Sequence, residues 1–276
     1  AAGARESQAQ ERFAQEARAL TSIQHPGIVQ IFDFGQLEDG SPYMAMELLQ
    51  GESLAERLRR GGPLPLQTAL RLGRQLASAL AEAHLRGVVH RDLKPEHVIV
   101  VPDPEAQGGE RARVLDFGIA KVFSESAAEG GGRGASGAGP SPGRPSTRRG
   151  LLLGTPAYAS PEQCRGAGTV DDRSDVYSLG CILFELLTGR PPFCAEGEGE
   201  IVAMHLHSAP PRLRDLDPAA PAEVEAYLDR LLAKLPAERP SMAHVAEELL
   251  FLGSKGSGAL LAFAAPAAPI VPLSAA

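Results

Sequence analysis

The sequence predicts an α+β fold in which a small part containing β-strands precedes a larger, mainly helical part. Two runs rich in β-forming residues, over 28–34 and 42–49, lie close to the start of the chain. Helical periodicity dominates after residue 50, and the segment 175–187 is apolar on almost every side. Because a helix that is apolar all round has to be buried, we expect the helical part to be built around this segment.

The first elements follow from periodicity and turn residues. Apolar residues spaced three and four apart predict an amphipathic helix over 8–23, which ends before Pro26. The two β-type runs, over 28–34 and 42–49, flank a turn at Gly40. This arrangement predicts a pair of antiparallel strands.

Two helices with clear end signals come next. Ser53 and Glu56 have the spacing of a capping box, which predicts a short helix that runs to Arg60. A longer helix is predicted over 66–86, because its apolar residues stay in phase and Gly87 follows its end.

The rest of the chain combines short β-type runs with further helices. The predicted strands are 88–89, 98–101 and 114–115. The predicted helices are 175–187, 224–235 and 242–252.

Two segments lack the composition of a packed core. Residues 124–150 are dominated by Gly, Ser and Pro, which predicts a disordered insert. Residues 254–276 are rich in Ala and Pro. They predict a flexible linker or tail, because a membrane-spanning helix needs about 20 strongly apolar residues.

The bulk composition excludes some classes of protein. The net charge is −7, whereas a nucleic-acid-binding protein usually carries a basic excess. Cys164, Cys181 and Cys194 lie far apart, which argues against a disulfide framework or a zinc site. We therefore predict a cytoplasmic protein that does not bind nucleic acid, and any membrane tether would lie outside this chain.

Several residues with possible chemistry have a structural interpretation. Cys181 falls in the buried helix and is expected to act as a small apolar residue. His84 is expected to be structural. His205 and His207 have the spacing of a metal pair on a strand, but no acidic or cysteine partner flanks them, so we expect no metal there.

Two motifs supply the groups that phosphoryl transfer requires. Residues 90–97 read His-Arg-Asp-Leu-Lys-Pro-Glu-His, and Asp116 opens an Asp-Phe-Gly sequence after a short predicted strand. The reaction needs a carboxylate near the acceptor hydroxyl, cations on the phosphates and a carboxylate that holds magnesium. Asp92 and Asp116 are suitable carboxylates for these two roles.

Over residues 8–252 the chain resembles the catalytic domain of eukaryotic-type (Hanks-type) serine/threonine protein kinases of bacteria. Further segments that match the family in order are 43–49, 154–162, 175–180, 187–193 and 238–240. The segment 154–162 resembles the loop that seats the peptide substrate in the family. The resemblance implies a protein-kinase-like two-lobe fold. It places a kinase domain at 1–253, with a partial N-lobe and hinge at 1–49 and the C-lobe at 50–253.

The resemblance implies roles for individual residues. Asp92 matches the catalytic base, Lys94 matches the lysine that contacts the transferred phosphoryl group, and Thr155 matches the threonine that braces both. Asp116 matches the magnesium ligand, and His97 stands at the second metal position. The implied cofactors are ATP and Mg²⁺, with Mn²⁺ as an alternative, and the implied partners are protein substrates.

The nucleotide site is implied in the same way. Met46, Glu47 and Leu49 match the strand and hinge that hold adenine, and Ile99 is assigned to the same nucleotide site. Glu16 matches the helix glutamate that pairs with a strand lysine.

The resemblance also implies two packing features. A hydrophobic spine would be anchored by Asp175, and Arg239 would pair with Glu162. The implied spine consists of Leu20, Ile31, His90 and Phe117.

The sequence departs from the family at two places in the site. The family has a glycine-rich loop and a strand lysine before the position of Glu16, whereas the first lysine here is Lys94. We therefore expect an N-terminally incomplete domain with slow transfer, since loss of one charge-stabilising group costs about 10²–10³ in rate. His97 replaces the usual asparagine; imidazole is a poorer ligand for Mg²⁺, but it can make the hydrogen bond that holds the loop around Asp92.

The insert suggests a regulatory device. Arg91 precedes Asp92, and in the family such an arginine accompanies activation by a phosphate on the segment after Asp116. Ser146 and Thr147 are the nearest hydroxyl residues and are followed by two arginines. The alternative is a passive spacer.

Three functions remain open from the sequence. The first is an active serine/threonine protein kinase in bacterial signalling, and the second is a pseudokinase or interaction module with little turnover. The third is a small-molecule phosphotransferase, which Thr155 and the Ser-Pro-Glu segment ending at Glu162 disfavour.

Overall fold

The computed structural model describes residues 21–38, 42–117, 156–166 and 170–255. The predicted helix over 8–23, apart from its last three residues, and the predicted insert over 124–150 lie outside the described residues.

The first β-structure is an antiparallel pair of strands, as predicted, but both strands are shorter than the sequence suggested. Strand β1 is Ile31–Gln36 and strand β2 is Pro42–Met46. Phe34 lies opposite Met44 in the register. Ile28 is not part of this pair and instead forms a parallel bridge with Val114, which connects the first part of the chain to the second sheet.

The second sheet has three antiparallel strands in the order β3-β4-β5. The strands are β3 (Glu52–Ser53), β4 (Val98–Pro102) and β5 (Glu110–Val114). A Cβ atom at Gly51 would lie 2.2 Å from the carbonyl oxygen of Val100, so glycine is needed where the chain enters β3.

The strand predicted at 88–89 is wrong, because these residues belong to a helix end. Helix α2 (Leu66–Leu85) is followed by Gly87 with φ of 72°. The amide of Val88 donates to the carbonyl of Ala83, and that of Gly87 donates to His84. This is a Schellman motif, so Val88 closes α2 and forms no ladder.

Helix α1 (Leu54–Gly61) begins with the predicted capping box. Ser53 Oγ accepts from the amide of Glu56, and the Glu56 carboxylate accepts from the amide of Ser53. Both orphan donors at the helix start are therefore satisfied.

The remaining helices form the larger part of the molecule. They are α3 (Pro161–Cys164), α4 (Arg173–Thr188), α5 (Glu198–His207), α6 (Leu213–Leu216), α7 (Ala222–Leu231) and α8 (Met242–Lys255). The predicted buried helix is α4, and most of its residues, including Cys181, are buried. Helix α2 packs against α4 and α8, so these three elements enclose the main core.

The structure corrects three other element predictions. Helix α7 ends at Leu231, and a 3-10 turn over Pro236–Glu238 follows. Helix α8 runs to Lys255, two residues into the predicted tail. Helices α3, α5 and α6 and strand β3 were not predicted.

Within the described ranges, none of the helices combines the length and apolarity that crossing a membrane requires.

Candidate active site

The loop before Asp92 is held in an unusual backbone conformation by side chains from other elements. Arg91 has φ of 62°, a left-handed conformation that non-glycine residues adopt at a cost of about 1–3 kcal/mol. Asp175, at the start of α4, accepts hydrogen bonds from the amides of His90 at 2.8 Å and Arg91 at 2.9 Å. The predicted anchoring role of Asp175 is thus seen as direct contacts.

His84 supports the same carboxylate. Its Nε2 donates to Asp175 Oδ2 at 2.8 Å, which agrees with the structural role expected for it. Burial alone would raise the pKa of Asp175, but the hydrogen bonds that it accepts from His84 and from the amide of His90 hold that pKa below its usual value. Asp175 is therefore an anion that fixes the loop.

His90 packs beneath the loop as part of the predicted spine. It is fully buried, and its ring centroid lies 4.8 Å from that of Phe117. Its Nε2 donates to the carbonyl of Leu115 at 2.8 Å, so Nδ1 accepts from the amide of Asp92 at 3.3 Å. Burial lowers the pKa of His90, which keeps the ring neutral in this role. Ile31 is buried in the same core, and Leu20 lies outside the described residues.

The structure brings together the two predicted catalytic groups that it describes. Lys94 Nζ lies 3.4 Å from Asp92 Oδ2, and both side chains are about one-fifth exposed. A carboxylate beside an ammonium group at a partly exposed position can accept a proton from a hydroxyl group while the cation faces a phosphoryl group.

His97 links this pair to Asp116. Its Nδ1 lies 2.9 Å from the carbonyl oxygen of Asp92. Because a carbonyl only accepts, Nδ1 carries the proton and Nε2 of the neutral ring is a lone-pair donor. Nε2 lies 4.0 Å from Asp116 Oδ2. The loop hydrogen bond expected of this residue is therefore present.

These donors fit a divalent cation. A cation bonded at about 2.1 Å to each of two ligands spans separations of up to about 4.2 Å, so His97 Nε2 and Asp116 can both reach one ion. The Asp116 side chain is 56% exposed and its φ is 51°, so the backbone directs the carboxylate out of the core. No cluster of three or more His, Cys, Asp or Glu side chains suited to a metal occurs in the described ranges, so the pair would leave further positions to water and substrate oxygens.

The predicted hinge residues lie at the end of the first sheet and in the segment that connects it to the second sheet. Met46 ends β2, and Ile99 lies on β4. Leu49 follows the end of β2 by three residues and is half-buried. The Glu47 side chain is engaged elsewhere: it accepts from the amide of Gln30 at 2.6 Å and pairs with Arg113 on β5. The amide of Glu47 also donates to the carbonyl of Gln30 at 3.0 Å, so Glu47 has its backbone carbonyl to offer a nucleotide.

Four predicted site residues cannot be located. Thr155, Glu16, Ser146 and Thr147 lie outside the described residues. Their roles stay predictions.

The segment that follows Thr155 is tied to the helical core. Arg239 donates two hydrogen bonds to the carboxylate of Glu162, at 2.7 and 2.9 Å, which confirms the expected pair. Burial raises the pKa of Glu162, but the contacts with Arg239 outweigh it and hold that pKa below its usual value. The hydroxyl of Tyr158 donates to Glu185 at 2.6 Å.

Sequence reasoning missed Gln163. Its side chain donates to the backbone carbonyl of Arg91 at 2.7 Å, across 72 positions of sequence. The signal available was its place three residues after Ser160, which is the spacing of a capping box.

The spacing of His205 and His207 does not form a pair on a strand. Both lie on helix α5, where positions two apart do not face each other. His205 is buried beside Tyr177, with Nδ1 2.9 Å from the tyrosine hydroxyl, whereas His207 is exposed.

Comparisons with known proteins agree with this geometry. The family description "Protein kinase domain" matches residues 2–251. The chain is 39% identical over 234 residues to the serine/threonine-protein kinase pkn3 of Myxococcus xanthus, covering 84% of this chain and 40% of that protein. It is 37% identical over 228 residues to the serine/threonine-protein kinase PrkC of Bacillus subtilis, covering 83% of this chain and 31% of that protein. The chain spans less than half the length of these curated relatives.

A solved structure shows the same fold. The kinase domain of Mycobacterium tuberculosis PknI, crystallised as a mutant, has a TM-score of 0.61 and 26% identity, and the match covers 90% of this chain and 81% of that chain. The family match extends over almost the whole chain. The chain therefore belongs to the protein kinase family.

Proposed function

We propose that this chain is the catalytic part of a serine/threonine protein kinase that transfers the γ-phosphoryl group of ATP to hydroxyl groups of protein substrates in bacterial signalling. The observation that carries the proposal is the convergence of Asp92, Lys94, His97 and Asp116 on one loop cluster. The names of its relatives support the serine/threonine class.

Each side chain has a task that its surroundings support. Asp92 accepts the proton of the substrate hydroxyl, and its orientation is fixed through the anchored loop. Lys94 balances charge on the transferred group from its position 3.4 Å from Asp92. Asp116 and His97 would hold a divalent cation, which when bound neutralises charge on the phosphates.

The nucleotide would lie in the cleft between the two sheets. Met46, the backbone of Glu47, Leu49 and Ile99 would contact the adenine, and Glu16 and Thr155 keep the roles that the family implies. We propose Mg²⁺ as the ion, with Mn²⁺ as the alternative favoured by the imidazole of His97.

The second candidate function is that of a pseudokinase or interaction module. One observation favours it: His97 offers an imidazole nitrogen at a proposed metal-ligand position, whereas Mg²⁺ prefers oxygen ligands.

Transfer of radiolabelled phosphate from ATP to a generic basic protein separates the two functions. For the kinase we expect slow transfer that requires Mg²⁺ or Mn²⁺ and is lost in Asp92→Asn, while binding of ATP persists. Binding of ATP with no transfer that depends on Asp92, under either metal, would favour the pseudokinase.

Regulation would act through the segment after Asp116. We place the activating phosphate on Ser146 or Thr147, where it would add about −1.5 to −2 charge beside two arginines and could pair with Arg91. Phosphopeptide mapping after incubation with ATP tests this placement, and phosphate found only outside 124–155 would contradict it. A cytoplasmic location, where ATP is available, follows from the proposed chemistry and stays a prediction.

A further inference from the structure

The side chain of Gln163 bridges two parts of the molecule that the proposed reaction has to bring together. Gln163 lies on α3, in the segment that follows the predicted peptide-seating residues, and Arg91 immediately precedes Asp92. Gln163 Nε2 donates to the carbonyl of Arg91 at 2.7 Å, and Gln163 Oε1 accepts from the amide of Ser160 at 2.9 Å. The amide of Ser160 can only donate and the carbonyl of Arg91 can only accept, so the side-chain amide of Gln163 has a single orientation that satisfies both.

This contact completes the restraint on a strained residue. The amide of Arg91 donates to Asp175 Oδ1, so side chains from α4 and α3 hold both backbone polar groups of Arg91. A left-handed φ at a non-glycine residue persists only where the surroundings over-determine it. Without the bond from Gln163, the carbonyl of Arg91 would lose the partner that fixes its direction.

The orientation of that carbonyl determines the orientation of the next residue. The Arg91 carbonyl and the Asp92 amide belong to the same rigid peptide plane. The amide of Asp92 points to His90 Nδ1 at 3.3 Å, and the Asp92 carboxylate faces Lys94. Rotation of the plane would therefore move the carboxylate away from the position that the proposed reaction requires.

We propose that Gln163 is a positioning residue for the catalytic base, which couples the peptide-seating segment to the Asp92 loop through the carbonyl of Arg91. The inference rests on the proposed kinase function for its effect on rate. Its effect on the loop itself does not depend on that function.

Gln163 has a second task that has to be separated from this one, because it also caps α3. Its Oε1 and the Ser160 hydroxyl form a capping box. Glutamate is the other residue that suits this position of a capping box. Gln163→Glu therefore keeps an acceptor for the amide of Ser160, but it removes the donor to Arg91 and places a carboxylate beside a carbonyl.

The reciprocal change in α1 is a matched control. Glu56 occupies the same position in the other capping box, where it accepts from the amide of Ser53 at 2.9 Å. Glu56→Gln keeps that acceptor, and Glu56 is exposed. Gln163→Met is a second test variant, which removes the donor without adding charge.

The experiment measures kcat, KM for a peptide substrate, binding of ATP and amide hydrogen exchange in the full chain. For Gln163→Glu and Gln163→Met we expect kcat to fall about 10- to 100-fold, the scale of a misplaced catalytic group. The affinity for ATP should stay the same, and the amides of residues 90–93 should exchange faster. Glu56→Gln should change neither kcat nor exchange at 90–93.

The outcomes separate this inference from the proposed function. Unchanged exchange at 90–93 in both Gln163 variants overturns the inference, even if the wild-type chain shows no transfer. Unchanged kcat in both variants of an active chain also overturns it. Faster exchange at 90–93 in a chain that shows no transfer dependent on Asp92 supports the coupling and contradicts the kinase function.

Discussion

Arg91 and Asp116 are the two non-glycine residues with positive φ in the described part of the chain, and they lie on either side of the proposed reaction centre. At both positions the backbone turns sharply. The turn at Arg91 directs the carboxylate of the next residue, Asp92, out of the core, and the turn at Asp116 does the same for its own carboxylate. Specific interactions offset the strain of these conformations. Asp175 and Gln163 form hydrogen bonds with the backbone of Arg91, and the residue after Asp116, Phe117, is buried in the core. Backbone strain of this kind is a feature of sites that fix catalytic groups.

The sequence identifies some of these residues and not others for a physical reason. Asp92, Lys94 and Asp116 stand in short contiguous motifs, so their chemistry can be interpreted without a structure. The contact between Gln163 and Arg91 joins residues 72 positions apart and depends on packing. Local sequence carries no information about that contact.

Replacement of His97 by asparagine tests the metal preference at the residue scale. In His97→Asn the amide can still donate to the carbonyl of Asp92, while its oxygen replaces an imidazole nitrogen as the ligand. Because hard cations prefer oxygen, we expect Mg²⁺ to displace bound Mn²⁺ at lower concentration, with phosphoryl transfer similar or raised. Electron paramagnetic resonance of Mn²⁺ in the presence of ATP measures the displacement.

His244→Asn is the control for this measurement, because His244 lies on α8 and pairs with Glu248 at 3.1 Å, apart from the Asp116 cluster. Identical displacement curves for the wild type, His97→Asn and His244→Asn would show that His97 does not bind the ion.

At the scale of elements, the sequence predicts well the helices whose apolar residues recur at helical spacing and whose ends carry capping residues. It does not predict the helices that depend on contacts with distant parts of the chain. The capping box of α1 and the end of α2 at Gly87 are confirmed. Helix α5 was missed, although Glu198 and Glu200 in its first turn and His207 in its last have the charge pattern that the helix dipole favours. Its apolar residues form an almost continuous run from Ile201 to Leu206, so they show no spacing of three and four that would reveal a helix.

Strand β5 depends on a contact with Gln75 that cannot be predicted from the local sequence. Gln75 is a buried polar residue on the apolar face of α2. Its Oε1 accepts from the amide of Ala112 at 2.8 Å, and its Nε2 donates to the carbonyl of Glu110 at 3.2 Å. At Glu110 and Ala112 the edge of β5 is therefore satisfied by a helix side chain in place of another strand.

Two glycine-to-alanine changes are expected to have opposite effects on stability. Gly73 lies on α2 where it packs against α4, whereas Gly61 is the last residue of α1. A Cβ atom at Gly73 would lie 2.4 Å from Leu183 Cδ2, whereas one at Gly61 would meet nothing within 4 Å. Alanine is the better helix former at both positions by about 1 kcal/mol. We expect Gly73→Ala to lower the free energy of unfolding by about 1–3 kcal/mol, because overpacking outweighs that gain.

Gly61→Ala serves as the control and should raise the free energy of unfolding slightly. Urea denaturation of both variants measures the two effects. A stability for Gly73→Ala equal to or above that of Gly61→Ala would show that α2 and α4 can separate to admit a methyl group at no cost.

At the scale of the whole molecule, buried histidines make stability depend on pH. His205 is fully buried, and burial together with the charge of Lys234 lowers its pKa to about 4. An unfolded histidine titrates near 6.5. As the pH falls from about 6.5 to about 4, the unfolded chain therefore binds a proton at this residue that the folded chain does not.

The sign of the effect follows from this difference. The unfolded state binds more protons in that window, so the free energy of unfolding falls as the pH falls, and His205 contributes at most about 3 kcal/mol to the loss. The lowered pKa values of His25 and His90 act in the same direction. The carboxylates of Asp175 and Glu162, whose pKa values are held below the usual range, add to the loss at still lower pH.

A pair of substitutions on α5 isolates the contribution of His205. We expect His205→Asn to have a smaller decrease in the free energy of unfolding between pH 6.5 and 4.5 than the wild type, although its stability at pH 7 is lower because the contact with Tyr177 is lost. His207→Asn should retain the full decrease, since His207 is exposed and takes no part in the buried contact between His205 and Tyr177. Urea denaturation at several pH values measures the decrease for each variant. If His205→Asn and His207→Asn lose stability equally over this interval, the acid sensitivity of the protein originates elsewhere than at His205.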